Sequence, residues 1–170
     1  MNDILLSMGS NLGNRYENLQ TAVSELQGFS KIIRRSSIYD TVPWGYLDQP
    51  HFLNQAIAIQ TKLKPLELLI QLKGIEKKIG RQNTFRYGPR ILDIDILFFN
   101  DLIKKTPELT IPHPSLHERA FVLIPLVEIA PDFYHPVFKK TVRELCGSIS
   151  NEGVTLYRQG KTLNNNWKMR

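Results

Sequence analysis

The sequence predicts an α+β fold in the order βαββαβ, with helices packed on a sheet and a C-terminal addition. Three observations predict it. Short apolar runs alternate with a period of two, apolar stripes recur between them at three- and four-residue spacing, and turn or capping residues mark the changes of period.

Ile4 to Met8 is an apolar run that stops at Gly9-Ser10-Asn11-Leu12-Gly13-Asn14, which reads as a strand entering a loop. Tyr16, Leu19, Val23 and Leu26 then share one helical face, and Gly28 supplies a stop. Ile32 to Tyr39 is rich in β-branched residues and suits a second strand, which runs into a loop from Thr41 to Pro50. Loops of that length in small domains often carry function. From Phe52 to Gln60, Phe52, Asn54, Ala56, Ala58 and Gln60 alternate with Leu53, Gln55, Ile57 and Ile59, as on the two faces of a third strand. Pro65 suits the first turn of a helix whose stripe is Leu68, Leu69, Leu72, Ile75 and Ile79, ending at Gly80. After the basic, irregular stretch Arg81 to Arg90, Ile91 to Phe99 reads as an apolar strand interrupted by two carboxylates. Glu108 to Pro114 is a short extended piece, and Ala120 to Ile129 a helix ended by Ala130-Pro131. From Tyr134 onward the pattern is weak. The order of these elements is that of the ferredoxin-like α+β pattern.

A chain of 170 residues, 42% of them apolar, can bury one core, so residues 1–170 are read as a single domain. The net charge of +6 suits an anionic ligand, but its sign alone does not choose among nucleotide, nucleic acid and acidic membrane. Cys146 is the one cysteine, which excludes an intramolecular disulfide and a multi-cysteine zinc site. The opening Met1-Asn2-Asp3-Ile4-Leu5-Leu6 lacks the features of a secretory signal, and no apolar run reaches the ~20 residues of a membrane span, so a cytoplasmic protein without a membrane partner is expected.

Asp93 and Asp95 lie two apart in an apolar strand and therefore point to the same face, where they can share a cation. Two adjacent carboxylates repel each other and lose hydration on burial, costs that a divalent metal offsets, and oxygen ligands favour Mg2+. The competing reading is a solvated strand face, which the flanking Leu92, Ile94, Ile96, Leu97, Phe98 and Phe99 make harder to sustain. Arg81, Arg86 and Arg90 precede the pair, and arginine forks suit phosphate oxygens. His113 and Arg119 are further candidate donors, whereas Phe52 and Phe121 are either core residues or two walls for a flat heterocycle. The Gly9 to Gly13 loop lacks the ending of a P-loop and is read as a structural turn.

Four segments in order, Leu6 to Gly13, Asp48-Gln49-Pro50 to Asn54, Arg86 to Asp95 and Pro112 to Phe121, together resemble the hydroxymethyldihydropterin pyrophosphokinase family. The resemblance spans about Ile4 to Pro131 and implies a ferredoxin-like α+β fold and transfer of pyrophosphate from ATP to a pterin hydroxymethyl group. It implies that Asp93 and Asp95 hold two Mg2+ ions, with Arg81 and Arg90 acting in catalysis. Glu76, Arg81, Arg90, Thr110, His113 and Arg119 would serve ATP, and Thr41, Val42, Trp44, Phe52, Asn54, Asp93 and Phe121 the pterin. Asn83 and Tyr87 depart from the pattern, standing where an arginine and a tryptophan occur in relatives. The loops Arg81 to Gly88 and Thr41 to Gln49 are the candidates for closing over substrates. The partners expected are ATP and the pterin, with no nucleic acid, and the chain is expected to act as a monomer. Two rivals stay open from the residues themselves: another ATP-dependent phosphoryl or nucleotidyl transferase, and a non-catalytic nucleic-acid-binding module.

Overall fold

The structure is a computed structural model that describes residues 1–159; residues 160–170, included in the single domain read from the sequence, lie outside the described residues. Its first four strands and first helix are β1 (Asn2–Ser10), α1 (Arg15–Leu26), β2 (Lys31–Arg35), β3 (Ile38–Thr41) and β4 (Phe52–Thr61). There follow α2 (Pro65–Ile79), β5 (Asp93–Phe99), the two-residue strands β6 (Lys104–Lys105) and β7 (Thr110–Ile111), and a 3-10 turn at Leu116–Glu118. The chain then forms α3 (Ala120–Ile129), α4 (Val142–Gly147) and β8 (Val154–Arg158).

The helix ends follow from their residues. Asn14 Oδ1 accepts from Glu17 N at 3.1 Å and caps α1, satisfying one of the amides that a helix start leaves open. Pro65 begins α2, where its missing N–H costs nothing, and Gly80 ends that helix with φ +107, a conformation that only glycine adopts readily.

The main sheet is antiparallel, with order β5-β1-β4-β3-β8, and β2 pairs with β4 beside β3. The single second strand expected from Ile32 to Tyr39 is thus two strands. The break falls at Ser36 and Ser37, both fully buried. Ser36 Oγ accepts from Ala56 N at 2.9 Å, and Ser37 N donates to Glu128 Oε2 at 2.8 Å. The hydroxyl replaces a ladder partner and lets the chain bend without orphaning an amide. The expected strand start at Ile91 shifts to Asp93, and of the extended piece from Glu108 only Thr110–Ile111 pairs. The C-terminal segment, whose sequence pattern is weak, supplies α4 and the edge strand β8. None of the described helices is long and apolar enough to cross a membrane.

Both faces of the sheet are covered. Ile4, Leu6, Met8, Leu53, Ile57, Ile59, Ile94 and Ile96 meet α1 and α2 on one face. Leu5, Ala56, Ala58, Leu97 and Phe98 meet α3 and α4 on the other. Ala56 and Ala58 leave room for the almost wholly apolar α3 to lie close on β4, burying Val122, Leu123, Leu126 and Ile129. Each fully buried aliphatic side chain contributes about 1.5–3 kcal/mol, so this double layer holds the sheet rigid up to its polar end.

Candidate active site

At the end of the sheet where β1 finishes and β4 and β5 begin, the face that packs on α3 changes from apolar to polar. Leu5 gives way to Ser7 and Gly9 on β1, Ala56 to Asn54 on β4, and Leu97 to Asp95 and Asp93 on β5. The register sets Ser7 opposite both Ala56 and Asp95, and Gly9 opposite both Asn54 and Asp93. A cleft opens here. The sequence-predicted residues Thr41, Val42, Trp44, Phe52, Asn54, Arg90, Asp93, Asp95, Arg119 and Phe121 all line it.

Ser7, Gly9 and Tyr87 also line the cleft and were not among the expected site residues. Gly9 is required there by contact, because a Cβ would lie 2.7 Å from Asn54 Oδ1. Asn54 Nδ2 in turn donates to Thr41 Oγ1 at 2.6 Å, joining β4 to β3 through buried side chains. The two-residue alternation from Leu5 would have placed Ser7 and Gly9 on one face, but nothing in β1 alone says that this face is the one bearing the aspartates.

Asp93 is bound by two arginines. Arg81 Nη1 donates to its Oδ1 at 2.6 Å and Arg90 Nη2 lies 3.1 Å from its Oδ2. Burial alone pushes this carboxyl upward, but the charges of Arg90, Arg81 and Lys73 and the Arg81 hydrogen bond outweigh it and hold Asp93 below the usual carboxylate range. Glu76 stands behind this pair rather than in the cleft. It is only 2% exposed, and it binds Lys73 Nζ at 2.9 Å, Arg81 Nη1 at 2.7 Å and the Ile94 amide at 2.7 Å.

Asp95 differs in kind. Among the described residues the one basic side chain within 4 Å of its carboxylate is His113, with Nε2 at 3.8 Å from Oδ2. Burial, reinforced by the charge of Asp93, pushes its carboxyl up to about 7 against the opposing pull of Lys73, Arg119 and Arg90. His113 is held neutral: burial and the Arg119 charge push it down to about 4, and its Nδ1 accepts from Ser115 N at 3.2 Å, leaving Nε2 to carry the proton toward Asp95. Thus His113 stands beside the cleft and Arg81 behind it, whereas Thr110 sits on β7 outside the lining.

The two loops expected to close over substrates touch one another. Trp44 meets Tyr87 edge-on at 5.2 Å, Tyr46 meets Phe85 at 4.9 Å, and Gln49 Nε2 donates to Tyr87 O at 2.7 Å. Asn11, in the loop that follows β1, ties both down. Its Nδ2 donates to Gln49 Oε1 and Pro50 O, each at 2.9 Å, and its Oδ1 accepts from Arg90 N at 2.8 Å. The expected turn from Gly9 to Gly13 is thus shorter than read from the sequence: Gly9 and Ser10 are the last residues of β1, Gly9 paired with β4 and β5 and Ser10 with β4, and the loop that follows anchors the arginine segment through Asn11. Tyr87 takes a left-handed conformation, φ +62, and stacks under Arg86 at 4.8 Å.

The donor set fits an anion with a flat ring beside it. Arg90 Nε and Arg119 Nε are buried without a hydrogen-bond partner among the described residues, a cost that an incoming phosphate would remove. The guanidinium of Arg90 lies 5.2 Å from the Phe52 ring centre, and that of Arg119 lies 4.7 Å from Trp44 and 5.8 Å from Phe121. Two carboxylates on one strand face with nearby guanidinium donors are the residue types that could hold a cation and phosphate oxygens together.

Comparison with known proteins gives the class a family. Residues 5–131 match the model of 7,8-dihydro-6-hydroxymethylpterin-pyrophosphokinase, and the chain belongs to that family. It is 40% identical over 144 residues to the 2-amino-4-hydroxy-6-hydroxymethyldihydropteridine pyrophosphokinase of Aquifex aeolicus, covering 85% of this chain and 90% of that one. It is 45% identical over 128 residues to the mitochondrial folate synthesis bifunctional protein of Arabidopsis thaliana, covering 75% of this chain but 23% of that longer one. In fold it is similar to wild-type Plasmodium falciparum HPPK-DHPS with SDX-DHP, with TM-score 0.71 and 19% identity, covering 96% of this chain and 49% of that one.

Proposed function

We propose that the chain transfers the terminal pyrophosphate of ATP to the hydroxymethyl oxygen of 6-hydroxymethyl-7,8-dihydropterin, releasing AMP, as a step of folate biosynthesis. The observation that carries this is one cleft holding the aspartate pair, Arg90 and Arg119, and the aromatic and amide groups Phe52, Phe121 and Asn54, in a chain of this family. In the reaction the substrate hydroxyl attacks the β-phosphorus. The new O–P bond forms as the bond from that phosphorus to the α,β-bridging oxygen breaks, and AMP leaves with the bridging oxygen while the hydroxyl loses its proton.

Such a transfer needs alignment and charge neutralisation more than covalent participation by the protein. Arg90 and Arg119 offer their unpartnered Nε–H groups to phosphate oxygens, and Arg81 is held in reserve on Glu76 and Asp93. His113 donates from Nε2 as a neutral imidazole. Asp93 and Asp95 fit the oxygen chemistry of Mg2+, and two ions are assigned to them. When bound, Mg2+ neutralises phosphate charge and polarises the attacking hydroxyl. On the other side Asn54 and Thr41 meet the ring's donors and acceptors, and Phe52 and Phe121 give it apolar walls. The antiparallel order supports the ferredoxin-like reading: the split β2–β3 ribbon takes the second-strand position, and α3, α4 and β8 are the C-terminal addition. We assign the protein one domain, a monomeric state and the cytoplasm, with Glu76 supporting the nucleotide site and Thr110 near the adenine end.

The test is incubation with ATP, Mg2+ and 6-hydroxymethyl-7,8-dihydropterin, followed by separation of nucleotides and pterins. AMP and pterin diphosphate are expected to rise together and only with metal; ADP instead would sink this reading in favour of a monophosphoryl transferase. Phe52 is 8% exposed, so Phe52→Leu is the better probe of its ring than a truncation that leaves a cavity. Loss of one stacking face is expected to weaken pterin binding about tenfold, near the ~1–3 kcal/mol typical of a stacked heterocycle. ATP affinity should stay the same. Unchanged pterin affinity by titration calorimetry would reduce Phe52 to a core residue.

A further inference from the structure

The family match ends at residue 131, yet a later segment reaches the cleft. β8 runs beside β3, with Val154 opposite Thr41 and Thr155 opposite Asp40. The residue before β8, Gly153, accepts a hydrogen bond from Val42 N at 2.9 Å. Val42 is the first residue after β3 and lines the cleft.

Gly153 meets Val42 in a second way. Its φ is +76, and a Cβ built on it would lie 1.9 Å from Val42 Cγ2 and 3.3 Å from Val42 Cβ. With Val42 in its present rotamer no side chain fits between them, so the bare Cα is the surface against which the Val42 side chain sits, and a methyl there would make Val42 turn or shift. The amide and the side chain of Val42 are therefore both set by one residue on another element, and the direction in which the loop leaves β3 toward Trp44 is set with them. At the loop's far end His51 Nδ1 lies 2.7 Å from Asp40 Oδ1, so the neck is held on both sides.

We propose that Gly153 is a positioning residue for substrate binding: its carbonyl and bare Cα fix Val42, and through Val42 the pterin side of the cleft. The consequence for binding rests on the pterin reading of the cleft; the clamp itself does not. The C-terminal strand thus serves the site as well as closing the sheet edge.

The experiment is a double-mutant cycle with Gly153→Ala and Val42→Ala. In the otherwise unchanged protein, Gly153→Ala is expected to raise the pterin Kd and KM about tenfold. The ATP Kd and the kcat at saturating pterin should stay within about twofold. With Val42→Ala already present the 1.9 Å clash with Cγ2 is gone and only the 3.3 Å approach to the residue 42 Cβ remains, so the same glycine substitution should cost clearly less pterin affinity. An equal cost in both backgrounds, an equal loss of ATP affinity, or no loss at all would overturn the proposal. Hydrogen exchange of the Val42 amide, measured without substrate, separates the two readings. If the unaltered protein binds no pterin, slow exchange that becomes fast in Gly153→Ala sustains the clamp while the pterin reading falls, and identical exchange in both proteins overturns the clamp.

Discussion

Asp95→Asn is expected to lower turnover about a thousandfold or more while making the free protein more stable at pH 8. The activity loss follows from removing a carboxylate that pairs with no arginine among the described residues and that is proposed to bind Mg2+, whose charge stabilisation is worth several kcal/mol in such transfers. The stability gain follows from the carboxyl's rise to about 7. A carboxyl whose folded pKa lies above its unfolded value binds protons more tightly in the native state, so stability falls as pH rises from about 4 to about 7 and the penalty is complete above that. The neutral amide avoids it. With a third of the side chain facing solvent, the gain at pH 8 is put at roughly 1–2 kcal/mol, and it should vanish below about pH 4. Urea unfolding at several pH values checks this, and equal stability of the two proteins at pH 8 would refute the buried repulsion. Mg2+ with a non-hydrolysable ATP analogue should raise the Tm of the unaltered protein and leave that of the variant nearly unmoved.

Glu76→Ala is expected to cost about 3 kcal/mol of stability, the largest loss among the polar residues of the site. Glu76 is the buried anion on which Lys73, Arg81 and the Ile94 amide converge. Its removal leaves an amide unpaired within β5 and releases two cations beside Asp93. Since Lys73 and Arg81 keep some access to water, the expected loss is at the low end for a broken buried pair. Glu76→Gln should cost less, because its carbonyl can still accept from Ile94. Chemical unfolding and ATP titration distinguish this supporting role from direct nucleotide contact. If both variants keep full stability and lose only ATP affinity, Glu76 touches the nucleotide and the supporting role is wrong.

The aspartate pair was legible because strand alternation puts residues 93 and 95 on one face whatever the rest of the chain does. The bounds of α2 and α3 were legible for a similar reason: Pro65, Gly80 and Pro131 act on their own backbone or that of their neighbours. The split of the second strand was hidden, because Ser36 and Ser37 acquire meaning only through partners at residues 56 and 128. Tyr87 departs from the family pattern in the sequence itself, but its packing on Trp44 depends on the loops meeting in space.

The class of the fold, the position of most elements and the kinds of side chain at the site were thus legible in the order of residues alone. Those properties depend on periodicity and local backbone preference, which act over a few residues. It took the assembled fold to pair Arg81 and Arg90 with Asp93 while giving Asp95 no arginine ion pair among the described residues, to set Glu76 behind the site, and to bring Gly153 to Val42. These are contacts between groups from 3 to more than 100 positions apart, and their energies depend on burial and distance, which the antiparallel register and the packing of α3 and β8 create.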